Sequence, residues 1–143
     1  MVVSFLWRSY IGRLSYCFGP LARASQPQVE ARPDVLVYTS PPLEGDLDVI
    51  GPLQVIRWAS SSAKDTDFTA KLVDVTPEGL AMNLADDIIR ARYRQSLSKP
   101  LLLEPGKVCN YTINLDGVSN LFKKGHRIRV EISSSNFPAL TAT

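Results

Sequence analysis

The chain has 143 residues, 45% hydrophobic and 21% charged, which is enough for one domain with a real core and too little for two. Its net charge of +2 comes from the first 30 residues, where Arg8, Arg13 and Arg23 face a single acid, Glu30. The rest is balanced, which argues against a nucleic acid or other polyanion as partner, and no apolar run approaches the roughly 20 residues of a membrane helix, which argues against a membrane partner.

Residues 1–31 read as a segment apart from the remainder of the chain, a leader or an unrelated N-terminal stretch expected to lack fixed structure. It is rich in Ser, Arg and aromatic residues. Three readings stand open for it: a mitochondrial-type presequence, a weak secretory signal over Val2-Val3-Ser4-Phe5-Leu6-Trp7 that Arg8 interrupts, or a non-native leader. The compartment stays open, with a slight preference for the cytoplasm and a mitochondrial-type or secretory leader at residues 1–24 as the alternative. Gly19-Pro20 and Ala24-Ser25-Gln26-Pro27-Gln28 read as a linker. The two cysteines, Cys17 and Cys109, make neither a disulfide framework nor a metal site. With one histidine in the chain, structural zinc has no ligand set, and no cofactor is indicated.

From Arg32 the pattern is all-β. Asp34–Thr39 predicts a strand closed by Ser40-Pro41-Pro42. Leu47–Ile50 predicts a second, ended by Gly51-Pro52. Leu53–Ala59 predicts a third, with Ile56 and Trp58 on one side and Leu53 and Val55 on the other. The stretch Asp65–Gly79 is the one around which the domain is organised. Phe68, Ala70 and Leu72 alternate inward against Thr69 and Lys71 outward, and at Val73 and Val75 the second face becomes apolar too, so this strand end is expected to be covered on both sides. Asp65 and Asp67 precede it. A paired-carboxylate or calcium site is one reading of them, but turn-capping is favoured because no further acidic ligand occurs beyond them at a loop spacing. Pro77-Glu78-Gly79 makes a hairpin turn into Leu80–Leu84, and Ala85-Asp86-Asp87 reads as the next turn.

Ile89, Ala91 and Tyr93 then alternate with Arg90, Arg92 and Arg94. An arginine row on one strand face suits a phosphate or an acidic partner. A solvated face matched by neighbouring acids is the commoner arrangement and the one expected. Lys99-Pro100 and Glu104-Pro105-Gly106 frame a loop. Cys109, Tyr111, Ile113 and Leu115 point inward from the next strand, with Cys109 acting as a small hydrophobe, and Asn110-Tyr111-Thr112 is a formal glycosylation sequon on an outward position. Ser119–Gly125 reads as a loop or short helical turn. The final strand, His126–Ser133, turns Ile128, Val130 and Ile132 inward, with His126 at the rim as a packed or capping residue. About eight short strands punctuated by Gly and Pro predict a β-sandwich of the jelly-roll kind.

Four runs, Arg32–Ser40, Asp65–Val75, Ile89–Arg94 and Gly125–Pro138, together resemble the C-terminal, non-catalytic domain of the X-Pro dipeptidyl-peptidase and cocaine-esterase-like (CocE/NonD) serine hydrolases. The resemblance covers roughly residues 32 to 138 and sets residues 32–143 as one domain, truncated at its C-terminal end, since family members continue into further strands past Ser135-Asn136-Phe137-Pro138. It implies a galactose-binding-like jelly roll packed on an α/β-hydrolase catalytic domain, shaping the substrate entrance and stabilising the assembly, in some members through homo-oligomer contacts. The family's Ser–Asp–His triad lies upstream of this region. No G-x-S-x-G elbow occurs here, His126 matches a strand motif and not the catalytic histidine, and no catalytic residue is carried over. The chain alone is therefore expected to be inactive. The rival reading is a stand-alone carbohydrate- or protein-binding module with Tyr38, Trp58 and Tyr93 as an aromatic platform. A small hydrolase with an unrecognised nucleophile beside His126 is a second rival.

Overall fold

A computed structural model describes residues 32–134; the expectations for residues 1–31 and for the Asn136-Phe137-Pro138 motif fall outside the described residues. Among the described residues there are six strands and one short 3-10 turn: β1 Leu36–Thr39, β2 Leu47–Ala59, β3 Asp67–Val75, β4 Ala81–Arg90, the turn Ala91–Tyr93, β5 Cys109–Phe122 and β6 Arg127–Ser133. They form a four-stranded sheet in the order β1-β6-β3-β4 and a two-stranded sheet β2-β5. Every pairing is antiparallel. The expected all-β sandwich is what the chain forms, with its core between the two sheets.

β3 is central because its faces alternate as expected, and both become buried. Phe68, Ala70 and Leu72 enter the main core, where Phe68 meets Tyr111 of β5 with ring centroids 4.6 Å apart. Val73 and Val75 form a second buried cluster with Ala81, as the apolar turn of that face predicts. Thr69 departs from expectation. It is buried, between β4 and β6 in the sheet, and its hydroxyl is satisfied by the Ser133 hydroxyl at 2.7 Å. Lys71 is half-buried, in register with Asp86 on one side and Glu131 on the other.

The expected strand count is too high because bulges carry strands through residues that look like breaks. Gly51 takes φ of +121°, a conformation open to glycine. Between the pairs Gly51–Val118 and Leu53–Leu115, one residue of β2 faces two of β5. β2 thus runs through Gly51-Pro52 as one strand, and β5 runs past Leu115 to Phe122, through residues whose pattern suggests a loop. The extra residue also moves the inward set of β5 from Tyr111, Ile113 and Leu115 to Val118 and Phe122, all buried. A second bulge, between Leu72–Ala85 and Val73–Asn83, absorbs Leu84. It keeps Ala85-Asp86-Asp87 inside β4, although these residues look like a turn.

Candidate functional site

Two features stand out, an ion-paired rim at one end of the sandwich and an apolar cleft between the sheets. The rim joins the start of β3 to the end of β4. Arg90 grips Asp67 with two hydrogen bonds, Nε to Oδ1 at 2.9 Å and Nη2 to Oδ2 at 3.2 Å. This fork geometry makes a charge-assisted pair stronger than a single contact. The carboxylate at Asp67 raises the Arg90 pKa through that hydrogen bond and then through charge attraction. Asp65 accepts the Arg92 backbone N–H at 3.1 Å and its Nε at 2.6 Å.

The arginines therefore do not form one strand face. β4 ends at Arg90, and Ala91–Tyr93 winds into a 3-10 turn. The reason is local competition for backbone groups. The N–H of Ala91 goes to the Thr66 carbonyl at 2.8 Å, that of Arg92 goes to Asp65, and the Ala91 side chain is fully buried. Matching by neighbouring acids, the reading favoured for the row, holds for Arg90 and Arg92. Capping, favoured for the two aspartates, holds for Asp65, whereas Asp67 serves as a cross-strand partner.

Arg94 completes the rim. Its Nη1 donates to the carbonyls of Ala91 at 3.0 Å and Leu101 at 2.5 Å. Leu101 N–H reaches the Arg92 carbonyl, Leu103 N–H the Lys64 carbonyl and Gly106 N–H the Ser61 carbonyl, at 2.8, 2.8 and 2.9 Å. The connection from Arg94 to Val108 is thus stitched to the loop before β3. On this fixed frame Leu103 is buried, while Leu97 (87% exposed), Leu101, Leu102 and Val108 (59%) face solvent. This one connection therefore carries four of the large apolar side chains that are exposed among the described residues. Sequence reasoning finds only a connecting loop in this stretch, although Leu101-Leu102-Leu103 between two prolines is the available signal.

The cleft has a volume of about 420 Å³, lined by Tyr38, Val49, Leu53, Val55, Leu72 and Val130 among others. β4 lies close against β5, so the sheets meet on that side, and the cleft lies on the other, between β2 and the β1–β6 pair. Tyr38 belongs to this cleft and Trp58 to the exposed face of β2, while Tyr93 sits in the 3-10 turn. The three aromatics lie on three different elements, and Tyr38 is the one of them that lines the cleft. Asn110 pairs with Trp58 across β2 and β5 and is half-buried.

His126 contacts Asp74 of β3, with Nδ1 and Oδ1 2.8 Å apart. That is the orienting half of a catalytic triad in geometry. Among the described residues no serine, threonine or cysteine side chain is hydrogen-bonded to the imidazole, so the pair ties the start of β6 to the end of β3. No group of three or more His, Cys, Asp or Glu among the described residues is arranged to hold a metal ion. No helix among them is long and apolar enough to cross a membrane.

Arg57 is a feature that sequence patterning does not single out. It points inward from β2, is 7% exposed, and lays its guanidinium 4.2 Å over the Phe68 ring. Its Nε and the hydroxyl of fully buried Tyr111, its register partner on β5, have no hydrogen-bond partner. Burial lowers the Arg57 pKa and raises that of Tyr111, in each case by penalising the charged form.

The family model of the X-Pro dipeptidyl-peptidase C-terminal non-catalytic domain matches residues 8–142. The chain belongs to this family. It is 46% identical over 127 residues to cocaine esterase from Rhodococcus sp., a match covering 89% of this chain and 22% of the esterase. A putative serine esterase from Mycobacterium bovis is 29% identical, with 91% and 22% covered. Among solved structures, an aminopeptidase from the marine-sediment archaeon Thaumarchaeota archaeon superposes with a TM-score of 0.78 at 38% identity, over 82% of this chain and 21% of that one. An α-amino acid ester hydrolase gives 0.78 at 35%, over 82% and 20%. This non-catalytic domain therefore spans about a fifth of the length of the relatives it matches.

Proposed function

We propose that the chain acts as the accessory domain of a serine hydrolase of the peptidase/esterase type, stabilising the α/β-hydrolase domain and helping to shape its substrate entrance. The observation that carries this reading is the apolar set Leu97, Leu101, Leu102 and Val108 on the loop that Arg92 and Arg94 hold in place. A rigid apolar patch of this kind gains most from a large, preformed partner surface, because little side-chain or loop order remains to be imposed on docking. The ion pairs keep the loop fixed and leave the contact itself apolar.

The test uses the catalytic portion of the Rhodococcus esterase, expressed without its own C-terminal domain. Added in trans, this chain is expected to raise the melting temperature and ester turnover of that portion, and Leu101→Glu with Leu102→Glu should abolish both effects while the chain stays folded. An unchanged melting temperature and turnover on addition of the wild-type chain would sink the proposal.

A further inference from the structure

Trp58 is the bulkiest side chain that the described residues turn to solvent, 53% exposed on the outer face of β2. A tryptophan removes about 150–250 Å² from water when it is covered, more than any leucine of the loop can.

Its neighbours place it beside that loop. Trp58 pairs with Asn110 and Ala59 with Cys109. Side chains alternate along a strand, so Val108, two residues before Asn110, keeps to the outer face that Trp58 shares, and it is exposed as well. The chain just past Trp58 is stitched to the same connection, with the Ser61 carbonyl accepting the Gly106 N–H and the Lys64 carbonyl the Leu103 N–H. Along β2 in the other direction the face turns polar. Gln54 Nε2 donates to Asn114 Oδ1 at 2.8 Å, four residues or about 13 Å from Trp58. Charges on the loop and its seat are matched within the chain, Arg92 by Asp65 and Lys107 by Glu104. An aromatic centre, apolar neighbours and a polar margin are the anatomy of a protein contact.

We propose that Trp58 anchors the contact with the α/β-hydrolase domain, its indole entering an uncharged, apolar pocket of that domain, with Val108 and the leucine-bearing loop beside it. This rests on the accessory-domain reading and assigns the residue on which the contact is centred. The occupant follows from the relatives. This domain makes up about a fifth of each, so each carries a far longer stretch of the same chain to cover such a face. The pocket must be uncharged because the loop and its seat offer no unmatched partner for a charge, and a charge desolvated without one is costly. It must also present an acceptor, because a buried indole N–H needs one.

The test again uses the catalytic portion of the Rhodococcus esterase, and repeats each measurement with the chain fused in place of that enzyme's own C-terminal portion. Trp7 and Trp58 are the two tryptophans of the chain, so 5-fluorotryptophan in a Trp7→Phe variant reports on Trp58 alone. Its fluorine resonance is expected to shift, and to lose its sensitivity to deuterated solvent, when the catalytic portion is added or fused. Trp58→Ala should bind at least about tenfold more weakly in trans and melt lower in the fusion, as truncating an anchor does. Ile50→Ala, on the same face but beyond the Gly51 bulge, should bind within about twofold of the unsubstituted chain, as peripheral positions do. Wild-type binding by Trp58→Ala, with loss of binding on Leu101→Glu and Leu102→Glu, would overturn the anchor and leave the accessory reading standing. Equal weakening by Ile50→Ala would replace the anchor by a diffuse apolar face. A chain dimer in sedimentation whose Trp58 resonance is already shielded would assign the face to a second copy. No binding by the unsubstituted chain, with a fusion no more stable than the catalytic portion, would remove the accessory reading and the anchor together.

Discussion

Phe68 shows how one residue links the sheets. It is buried, stacks obliquely on Tyr111, and lies beneath Arg57. Removing a buried Phe side chain costs about 3–5 kcal/mol, against a whole-domain stability of about 5–15 kcal/mol. Phe68→Ala should leave the domain barely folded or unfolded in urea titrations. Lys71→Ala, on the opposite face between Asp86 and Glu131, should cost only about 0.2–1 kcal/mol, the scale of a cross-strand charge pair. Equal costs would mean the faces of β3 are reversed. Arg57 poses the opposite case. Its cation–π contact is worth about 0.5–2 kcal/mol, but its buried Nε lacks an acceptor, and apolar groups of similar volume in place of buried charge are often stabilising by about 1–4 kcal/mol. Desolvation should win, so Arg57→Met is expected to raise the urea midpoint at unchanged slope. A lower midpoint would show that the contact over Phe68 outweighs it.

Elements here are held by their ends as much as by their ladders. The loop before β2 is pinned to the β5–β6 turn by Asp46, which accepts the Lys124 N–H at 2.8 Å and Lys123 Nζ at 3.2 Å. The Lys124 backbone bond, then the Lys123 side-chain bond, lower the Asp46 pKa. A carboxylate depressed in the folded state adds stability that is fully present above its unfolded pKa, about 3.9, and is lost as pH falls through the lower folded value. Asp46→Asn should therefore destabilise the domain at pH 6 and converge with wild type in acid, below the folded pKa. Melting curves of both proteins from pH 6 down to about 2 would check the sign, and a constant difference across that range would remove the charge from the account. The bulges act at this scale too. With φ of +121° at Gly51, Gly51→Ala should lower stability by about 1–2 kcal/mol through backbone strain alone, measured by urea unfolding, since no neighbouring atom would meet the added Cβ. A neutral substitution would mean the strand does not need that bend.

As a whole molecule, the domain carries the orienting pair Asp74–His126 with no hydroxyl or thiol of the described residues bonded to the imidazole. A triad works as a unit of nucleophile, base and orienting acid, aided by an oxyanion hole. Purified chain should show no turnover of a p-nitrophenyl ester or an X-Pro anilide above buffer. Turnover that His126→Ala abolishes would make the chain a hydrolase in its own right.

Local pattern alone determined the β class, the inward faces of β3, β5 and β6, and the hairpin at Pro77-Glu78-Gly79, because a period of two is written directly into which side chains are apolar. It also determined family membership, through runs such as Asp65–Val75 and Gly125–Ser133. Tertiary structure decided the rest. Gly51-Pro52 and Ala85-Asp86-Asp87 look like breaks, but a partner strand can absorb an extra residue as a bulge, and the chain pattern does not say whether such a partner is present. Arg90 and Arg92 alternate like strand residues, yet the competition of Thr66 and Asp65 for the Ala91 and Arg92 amides turns the chain, and those acceptors lie 25 and 27 residues away. The cleft and the pairing of β2 with β5 alone among the described strands were not legible for the same reason. They depend on which strands neighbour each other across a sheet, a long-range choice made by packing and carried by no single segment.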